Sequence, residues 1–556
     1  MIIGRVLVTQ QEPAKAYEFW CWLSSDSQVG IGTILIAEGE SGEKAIGIVE
    51  DMQSTSAIQD HLLEFYGSEY GNPSVTPPSQ PKIIRLAKLR VLYREPSIAS
   101  PPSDRWRVRF AQAEDLELLA QRIPPQYRIL IGFLKVGVDE SKPESWMPVF
   151  AHAKFLLGPE GAHVNISGAT GLATKSSYAL FLSYSILAWA QKNEEKVAVV
   201  LFNVKRKDFL QLHELPRDWD EAKEWCNRWA KSIGEEALSD RVLAMWDKAK
   251  NFGVDPIALN LNVRYFTYQG DPDYTFMQNP IIYSYGFDDL EKGDFEAALF
   301  TTSSPTDPQV ILLTAYLEAK LGQGNTFEGM LNDLDRRNLT PVPGTNEVRI
   351  RDVDGTWMSN VPPALQRRVR AFLDRAAHVV IKNRPRGQPI RYGSLTPNCL
   401  HVVQLWRLTD AEKRLVVNAI IREISQGLET RGRDIDRVII IADELNKYAP
   451  SGALSPMKEQ IIDIVARGRD LQLTLIGAQQ FASRVDEEVI GNSETKIVGY
   501  SDLSEIVNPI YKYLGDLRDQ VPNLVKGQLI FKHPVYPAPL IIWFPTPLHE
   551  MNQGGS

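Results

Sequence analysis

The stretch HVNISGATGLATKSSYALFLSYSILAWA, at residues 163–190, constrains the fold of this chain more than any other. It begins as a short strand-like segment and turns through two glycines, Gly168 and Gly171. It then continues from Lys175 and Ser176 into an apolar, helix-like run. Backbone N–H groups at the start of such a helix can hold phosphate, while the lysine reaches the phosphate oxygens and the hydroxyl reaches Mg²⁺. The order of these features therefore predicts a phosphate-binding loop.

The loop departs from the usual pattern GxxxxGK[ST], because no glycine precedes the lysine. Three residues separate Gly171 from the lysine, and Thr174 stands where a glycine is expected. The alternative interpretation is a glycine-containing turn between a strand and a helix, with an exposed lysine. As a phosphate-binding loop, its nucleotide-binding residues would be Gly168, Gly171, Thr174, Lys175, Ser176 and Ser177.

The rest of the chain predicts an α/β protein with two additions. Short apolar, β-branched runs alternate with helical patterns from residue 127 onward, which is typical of a parallel sheet. The residues before them are strand-rich, with Gly, Ser and Pro turns. The expected segments are an N-terminal β-barrel at 1–118, the first part of the core at 119–205, a mainly helical insertion at 206–384, the second part of the core at 385–545 and a flexible tail at 546–556.

Composition bounds the class of protein. The formal net charge of -8 excludes a surface that is basic throughout, although not a local basic channel. The three cysteines have no metal or redox spacing and are typical of reduced thiols in a cytosolic protein. The apolar run at 178–190 is shorter than the about 20 residues that a membrane helix needs, and the start does not resemble a signal peptide. We expect a cytoplasmic protein without a membrane segment.

Polar side chains end two further strands. The buried strand of DRVIIIADELNKYAP ends in Asp443 and Glu444, and the strand of LQLTLIGAQQ ends in Gln479. Ligands bind at the carboxyl ends of strands in open α/β sheets. One acid there can hold Mg²⁺ through water, the next can polarise an attacking water, and an amide on the adjacent strand can sense the γ-phosphate. The alternative for the acids is a solvated pair at a strand end.

Arg467 and Arg469 end the helix between these two strands. They can simply complement the helix dipole. Alternatively, one of them supplies positive charge to the active site of a neighbouring subunit, since the sequence suggests no arginine near the site within the same subunit. Because they are two residues apart, they point about 200° apart on a helix, so only one can act in this way.

These segments together resemble the HerA family of hexameric ATPases, which is close to the FtsK-type translocases. The segments IIGRVL, GIGTILIAE and AIGIVED look like the N-terminal β-barrel of that family. Five later segments match its core in order: residues 163–177, KVAVVLFNVKRKDFL, HVVQLWRL, RVIIIADELNKYAP and ARGRDLQLTLIGAQQ. The resemblance implies a RecA-like P-loop ATPase core, with ATP and Mg²⁺ as cofactors, in a homohexamer.

The resemblance also implies a role for each candidate residue. Lys175 would be the phosphate-binding lysine, and Ser176 and Asp443 would hold Mg²⁺. Glu444 would be the catalytic base and Gln479 the sensor amide. The two arginines at the end of the helix would lie at the subunit boundary. The unusual loop puts tight nucleotide binding in question more than hydrolysis.

The segment RRVRAFLDRAAHVVIKNRPRGQPIR, at 367–391, has eight basic residues and one acid. Such density suits the phosphate backbone of DNA, whereas a solvated helix face followed by a linker is the alternative. A smaller basic run, NVKRKD, follows a core strand. Neither shows a base-reading motif, so any binding of double-stranded DNA is expected to be independent of sequence.

Two functions follow. The first is an ATP-driven DNA translocase or helicase that works with a separate effector, a nuclease or a sirtuin-like NAD-degrading protein, in antiphage defence or DNA end processing. The effector and these roles come from the family resemblance. The second is a nucleotide-binding ring that assembles and switches a partner effector without processive translocation, which the irregular loop favours. A small-molecule kinase is disfavoured, because neither a lid nor a substrate acid is evident.

Overall fold

The chain folds into a closed β-barrel followed by an α/β core built on one large sheet. The computed structural model describes residues 1–56, 83–136, 139–169, 175–206, 209–259, 261–301, 304, 306–376, 378–380, 387–430, 434–452 and 455–553. Residues 170–174 of the predicted phosphate-binding loop, which include the candidates Gly171 and Thr174, lie outside these ranges.

The barrel is antiparallel and closes in the order β1-β2-β5-β4-β3-β6. Its strands are β1 (Ile2–Leu7), β2 (Glu18–Leu23), β3 (Ile34–Glu38), β4 (Lys44–Ser56), β5 (Ile83–Glu95) and β6 (Arg107–Phe110). Alternation along β2 turns Phe19, Cys21 and Leu23 into the barrel interior, where all three are buried. Closure removes the free sheet edges that would otherwise pair with other chains. The predicted N-terminal β-barrel is confirmed.

A twelve-stranded sheet forms the centre of the described core, in the order β12-β11-β16-β10-β17-β18-β9-β19-β20-β21-β7-β8. Its first strands along the chain are β7 (Arg128–Lys135), β8 (Trp146–His152), β9 (Val164–Ser167), β10 (Val197–Asn203), β11 (Asn262–Thr267) and β12 (Ile281–Ile282). A small separate sheet contains β13 (Thr340–Pro341), β14 (Glu347–Arg349) and β15 (Trp357–Met358). The main sheet is completed by β16 (Cys399–Gln404), β17 (Arg437–Asp443), β18 (Leu473–Gln479), β19 (Thr495–Val498), β20 (Gln528–Lys532) and β21 (Leu540–Trp543).

The strands from β12 to β19 in this order are mutually parallel, and the remaining four add an antiparallel edge. Every residue of β10, β16 and β18 is buried, which explains their unbroken apolar or neutral sequences. Within the sheet, β18 lies between β17 and β9, the strand that leads into the glycine turn. This is the strand order of a RecA-like α/β sheet, so the predicted fold class, an α/β core with an N-terminal β-barrel, is confirmed.

Helices cover the sheet and fill the segment between its two halves. Before the second half of the sheet they are α1 (Ala113–Gln121), α2 (Ala153–Leu156), α3 (Lys175–Lys192), α4 (Trp219–Ser232), α5 (Ala237–Lys250), α6 (Lys292–Leu299), α7 (Pro308–Lys320), α8 (Phe327–Asp333) and α9 (Val361–Arg375). They continue as α10 (Asp410–Glu429), α11 (Pro456–Leu471), α12 (Glu487–Asn492), α13 (Leu503–Ile506) and α14 (Leu548–Gln553). In the part of the chain that is described, none of them has the length and apolarity to cross a membrane.

Two expected segments differ in detail. The segment 206–384 contains α4 to α9, but it also contributes β11 and β12, which extend the core sheet beside β16. In the described part of the expected flexible tail at 546–556, residues Leu548–Gln553 form α14. Leu548 and Met551 are buried there, and the carbonyl of Thr546 accepts a hydrogen bond from Trp246 at 2.9 Å. The composition of the last residues did not reveal this packing.

Candidate nucleotide site

The candidate site lies at the carboxyl edge of three adjacent parallel strands. Gln479 is paired with Ser167 across β18 and β9, and Asp443 is paired with Ala478 across β17 and β18. The strand ends are therefore level, and the polar residues that end them meet at one edge. The sequence predicted this meeting from the order of motifs, and the register of the sheet produces it.

Gly168 begins the turn that leaves β9. Its N–H donates to the carbonyl of Gln479 at 3.2 Å, and the next N–H, of Ala169, donates to Tyr500 at 2.7 Å. A β-carbon at Gly168 would lie 3.2 Å from the α-carbon of Gly499, so a side chain would press on the neighbouring backbone. The start of the predicted loop is thus held across both neighbouring strands.

Lys175 is the first residue of α3 and is buried, with 5% of its surface exposed. Its ammonium donates to the carbonyl of Gly168 at 3.0 Å. Burial lowers the pKa of Lys175 to about 8, while the carboxylate of Asp443 opposes the shift and the ammonium of Lys205 adds to it. A cation held at such a cost in desolvation, at a helix N-terminus, is suited to an anionic ligand.

Ser176 and Asp443 share one cationic partner, Lys205, which follows β10. The Lys205 ammonium lies 3.1 Å from the Ser176 hydroxyl and 2.8 Å from a carboxylate oxygen of Asp443. The Ser176 hydroxyl and the Asp443 carboxylate thus converge on one position, and both are hard oxygen donors of the type that Mg²⁺ prefers. These residues therefore fit the predicted metal site. Ser177, on the same turn of α3, is buried and lies within the helix packing.

Glu444 directly follows β17 in the left-handed region, with φ 56° and ψ 43°. Few residues with a side chain adopt this conformation, which costs of order 1–3 kcal/mol and is concentrated at functional sites. The backbone N–H of Glu444 donates to Asp443 at 2.9 Å, and its carboxylate pairs with Lys447 at 2.6 Å. The two adjacent acids therefore have different partners: Asp443 contacts Lys205, whereas Glu444 contacts Lys447.

Gln479 is almost completely buried at the end of β18. Its amide nitrogen donates to the side-chain oxygen of Asn165, on β9, at 2.9 Å. Its amide oxygen is buried and has no hydrogen-bond partner within the described residues. A buried acceptor without a partner is costly, and here it belongs to a residue that lines the site. It can accept a hydrogen bond from a water or ligand in the cavity.

These side chains enclose a cavity of about 190 Å³. It is lined by Lys175, Lys205, Asp443, Glu444, Asn446, Lys447, Gln479, Gln480, Phe481 and Arg484. Four of these side chains are cationic and two are anionic, so the cavity favours an anion. Its volume is below the roughly 300–1,000 Å³ of small-molecule pockets, and therefore suits phosphate groups better than a whole nucleotide.

Arg484 is the residue of this cavity that changes the sequence interpretation most. It follows β18, and its guanidinium lies 4.6 Å from the centre of the Phe481 ring. The expectation of a site without an arginine from the same subunit is therefore wrong. The interpretation of the sequence missed Arg484, whose only signal was that of a basic residue five positions after the end of β18. Lys205 was likewise seen only as part of the basic run NVKRKD.

Arg467 and Arg469 lie at the opposite edge of the sheet. The helix that carries them, α11, runs back against the strands, so that Gly468 lies beside His163, the residue that precedes β9. Both arginines are exposed, and Arg467 pairs with Asp463 at 2.6 Å. They do not reach the cavity of their own subunit, and their action in a neighbouring subunit stays a prediction.

The basic segment at 367–391 is only partly available for DNA. Arg368 donates to the carbonyl of Leu299 at 3.1 Å and lies over the Phe300 ring, and Arg391 pairs with Asp289 at 2.8 Å. Arg368 is thereby packed against the fold, whereas Arg391 forms a largely exposed ion pair. The exposed members are Arg367, Arg370, Arg375 and the paired Arg391, and three others, Lys382, Arg384 and Arg386, lie outside the described residues.

A larger cavity of about 670 Å³ lies between the barrel and the antiparallel edge of the sheet. Its charged lining residues are Asp26 and Lys135. It contains neither the lysine–hydroxyl pair nor the acid pair, so it does not compete with the smaller cavity as a phosphate site.

Comparisons with solved structures give distant similarities of fold. The conjugative coupling protein TrwB is 10% identical, with a TM-score of 0.42, over 79% of this chain and 94% of that protein. VirB4 of Thermoanaerobacter pseudethanolicus is 13% identical, with a TM-score of 0.41, over 77% of this chain and 99% of that protein. The genome packaging NTPase B204 of Sulfolobus turreted icosahedral virus 2 is 13% identical over 27% of this chain, with a TM-score of 0.22.

No family model and no curated protein matches the chain. The strand order and the cavity of this chain itself therefore carry the functional conclusion below.

Proposed function

We propose that this protein is an ATP-hydrolysing P-loop ATPase of the HerA and FtsK type. The observation that supports the proposal best is the convergence of Lys175, Asp443, Glu444 and Gln479 on one cationic cavity at the carboxyl edge of a RecA-like sheet. Ser176 is joined to this group through Lys205. These residues come from three separate motifs, whereas a chance glycine turn would not be joined by an acid pair and an amide.

Each side chain has a distinct part in the proposed reaction. Lys175 and Arg484 stabilise negative charge on the phosphates. Ser176 and Asp443 would hold Mg²⁺, which neutralises phosphate charge when bound. Glu444 accepts a proton from the attacking water, and the free amide oxygen of Gln479 orients that water.

The work done with ATP is proposed to be the translocation of double-stranded DNA through a homohexameric ring. The exposed arginines of α9 favour this, because they form a local basic surface on a chain whose net charge is -8. Phosphate contacts of this kind give affinity without sequence preference and a strong dependence on salt.

The experiment compares ATP turnover with and without double-stranded DNA in the wild type and in Arg367→Glu/Arg370→Glu. We expect DNA to stimulate the wild type. The variant should lose stimulation and show a salt dependence of DNA binding that is shallower by about one to two ion contacts. Arg375→Gln provides a milder change on the same helix. Full stimulation in the double variant would place the DNA path elsewhere, and ATP turnover that is absent under all conditions would contradict the ATPase assignment.

A partner effector, a nuclease or a sirtuin-like NAD-degrading protein acting in antiphage defence or DNA end processing, is proposed from the family resemblance alone. The second candidate function, a ring that switches such an effector without translocating, is favoured by the departure at Thr174 from the usual phosphate loop. Assembly with a co-purified partner that survives Glu444→Gln, in a protein that does not move along DNA, would support this second function.

A further inference from the structure

Lys205 joins the two oxygens that the proposed function assigns to the metal ion. Its ammonium lies 2.8 Å from Asp443 and 3.1 Å from the hydroxyl of Ser176. The Asp443 side chain is 5% exposed, whereas that of Lys205 is 33% exposed. A buried carboxylate thus has a cationic partner that approaches it from the more open side of the cavity.

The backbone around Lys205 is anchored on both sides. Asn203, which is completely buried, donates to the Gln404 side chain at 3.0 Å, and its carbonyl accepts from Leu405 at 2.9 Å. Arg206 pairs with the buried Asp273 at 3.3 Å. Any displacement of the ammonium from Ser176 and Asp443 therefore falls to the flexible four-carbon side chain, not to the strand.

A lysine ammonium and a divalent cation cannot both occupy the same place between two oxygens, because they would overlap and repel each other. An ammonium also supplies part of the positive charge that a metal would bring to the phosphates. The contact geometry therefore couples the position of Lys205 to metal binding.

We propose that Lys205 is a built-in cation that competes with the divalent metal for Ser176 and Asp443, and so makes nucleotide binding less dependent on metal. This inference rests on the proposed function, because it takes the cavity to be a nucleotide site. When metal binds, the Lys205 side chain leaves the two oxygens; when metal is absent, it remains there and supports phosphate binding together with Lys175.

The measurable quantity is the ratio of the ADP dissociation constant in EDTA to that in Mg²⁺, which we call the metal ratio. Removal of a competing cation strengthens binding with metal, and removal of a supporting cation weakens binding without it. Both effects raise the metal ratio. The expected rise in Lys205→Met is about 5–150-fold, the usual range of a coupling between two ligands.

The test uses a fluorescent ADP and the full-length wild-type protein, Lys205→Met and Lys205→Gln. The glutamine variant retains hydrogen-bond donors without the charge, and it keeps the test valid if the methionine variant does not fold. The matched control is Lys447→Met, which removes a lysine from the same cavity that pairs with Glu444 instead of the proposed metal residues. Its metal ratio should equal that of the wild type, even if both of its dissociation constants change.

A second measurement follows Mn²⁺ directly by electron paramagnetic resonance in the presence of ADP, and Lys205→Gln should bind Mn²⁺ more tightly than the wild type. A metal ratio that is unchanged in both Lys205 variants, or that rises equally in Lys447→Met, overturns the inference while leaving the proposed function intact. A wild-type protein that binds no ADP in either buffer overturns the proposed function, and this inference with it.

Discussion

The different environments of Asp443 and Glu444 predict different consequences of neutralising each of them. Glu444→Gln changes a side chain that is 35% exposed and that pairs with Lys447, itself 47% exposed. An exposed pair of this kind contributes about 0–1 kcal/mol to the free energy of unfolding, so the variant should remain folded. It removes the proposed proton acceptor, so hydrolysis should fall by about 10²–10⁴-fold. Nucleotide binding should persist, because Lys175 and the two proposed metal residues, Ser176 and Asp443, are unchanged.

Asp443→Asn alters a buried group with two partners. Its carboxylate pairs with Lys205 at 2.8 Å and accepts the N–H of Glu444 at 2.9 Å. Breaking a fully buried pair costs about 3–5 kcal/mol, and the partial exposure of Lys205 lowers the expected loss of stability to about 1–3 kcal/mol. We also expect weaker binding of nucleotide with Mg²⁺, since one of the two proposed metal residues loses its charge.

Three measurements separate the two variants: denaturant unfolding, the dissociation constant of a fluorescent nucleotide in Mg²⁺, and phosphate release. The expected result for Glu444→Gln is near wild-type stability and binding with slow phosphate release. Equal losses of binding in both variants would show that the roles are divided wrongly. Phosphate release close to the wild-type rate in Glu444→Gln would refute its assignment as the base.

Three further predictions test other parts of the site and its surroundings. Lys175→Met should lower ATP turnover by at least about 10²–10³-fold. It should not lower the free energy of unfolding, because burial already disfavours the charge of this lysine, whose pKa is about 8. Wild-type turnover in this variant would show that the loop is a simple turn without a role in phosphate binding. Arg368→Ala should destabilise the fold by about 1–3 kcal/mol, through its lost hydrogen bond and ring contact, whereas the exposed Arg370→Ala should change it by less than about 0.5 kcal/mol in the same denaturant titration. We expect mixed rings to recover part of the ATPase activity when Glu444→Gln subunits, which lack the proposed base, are combined with Arg467→Ala or Arg469→Ala subunits, each inactive alone. No recovery in rings shown to be mixed would rule out a role for these arginines in the neighbouring subunit.

Several features of the fold follow directly from local sequence. The apolar, β-branched runs before Gly168 and Asp443 form strands, because their side chains are buried on both faces of a parallel sheet. Apolar and polar residues alternate in the first hundred residues, and these segments form the barrel because one face of each strand is buried in its interior. The acids and the amide come at strand ends, and since parallel strands end at one edge, their meeting could be expected from order alone.

Local sequence did not predict the contacts of most of the arginines and lysines discussed above. A basic residue reads the same in sequence whether it pairs with an acid, caps a carbonyl or faces solvent. Arg368 and Arg391 belonged to one basic run but contact Leu299 and Asp289. The direction of α11 placed Arg467 at the far edge of the sheet, whereas the loop after β18 brought Arg484 into the cavity.

The sequence by itself determined the class of core, the barrel and the strand-end residues of the site, because these depend on periodicity and on the order of motifs along the chain. Only the tertiary structure decided which cations besides Lys175 enter the cavity. Lys205 and Asp443 are far apart in sequence, and their contact depends on β10 and β17 being neighbours in register. Tertiary packing also decided that Leu548–Gln553 form α14, since Leu548 and Met551 are buried although their neighbours in sequence are mostly polar. These contacts depend on which segments distant in sequence pack together, and this cannot be inferred from a local sequence pattern.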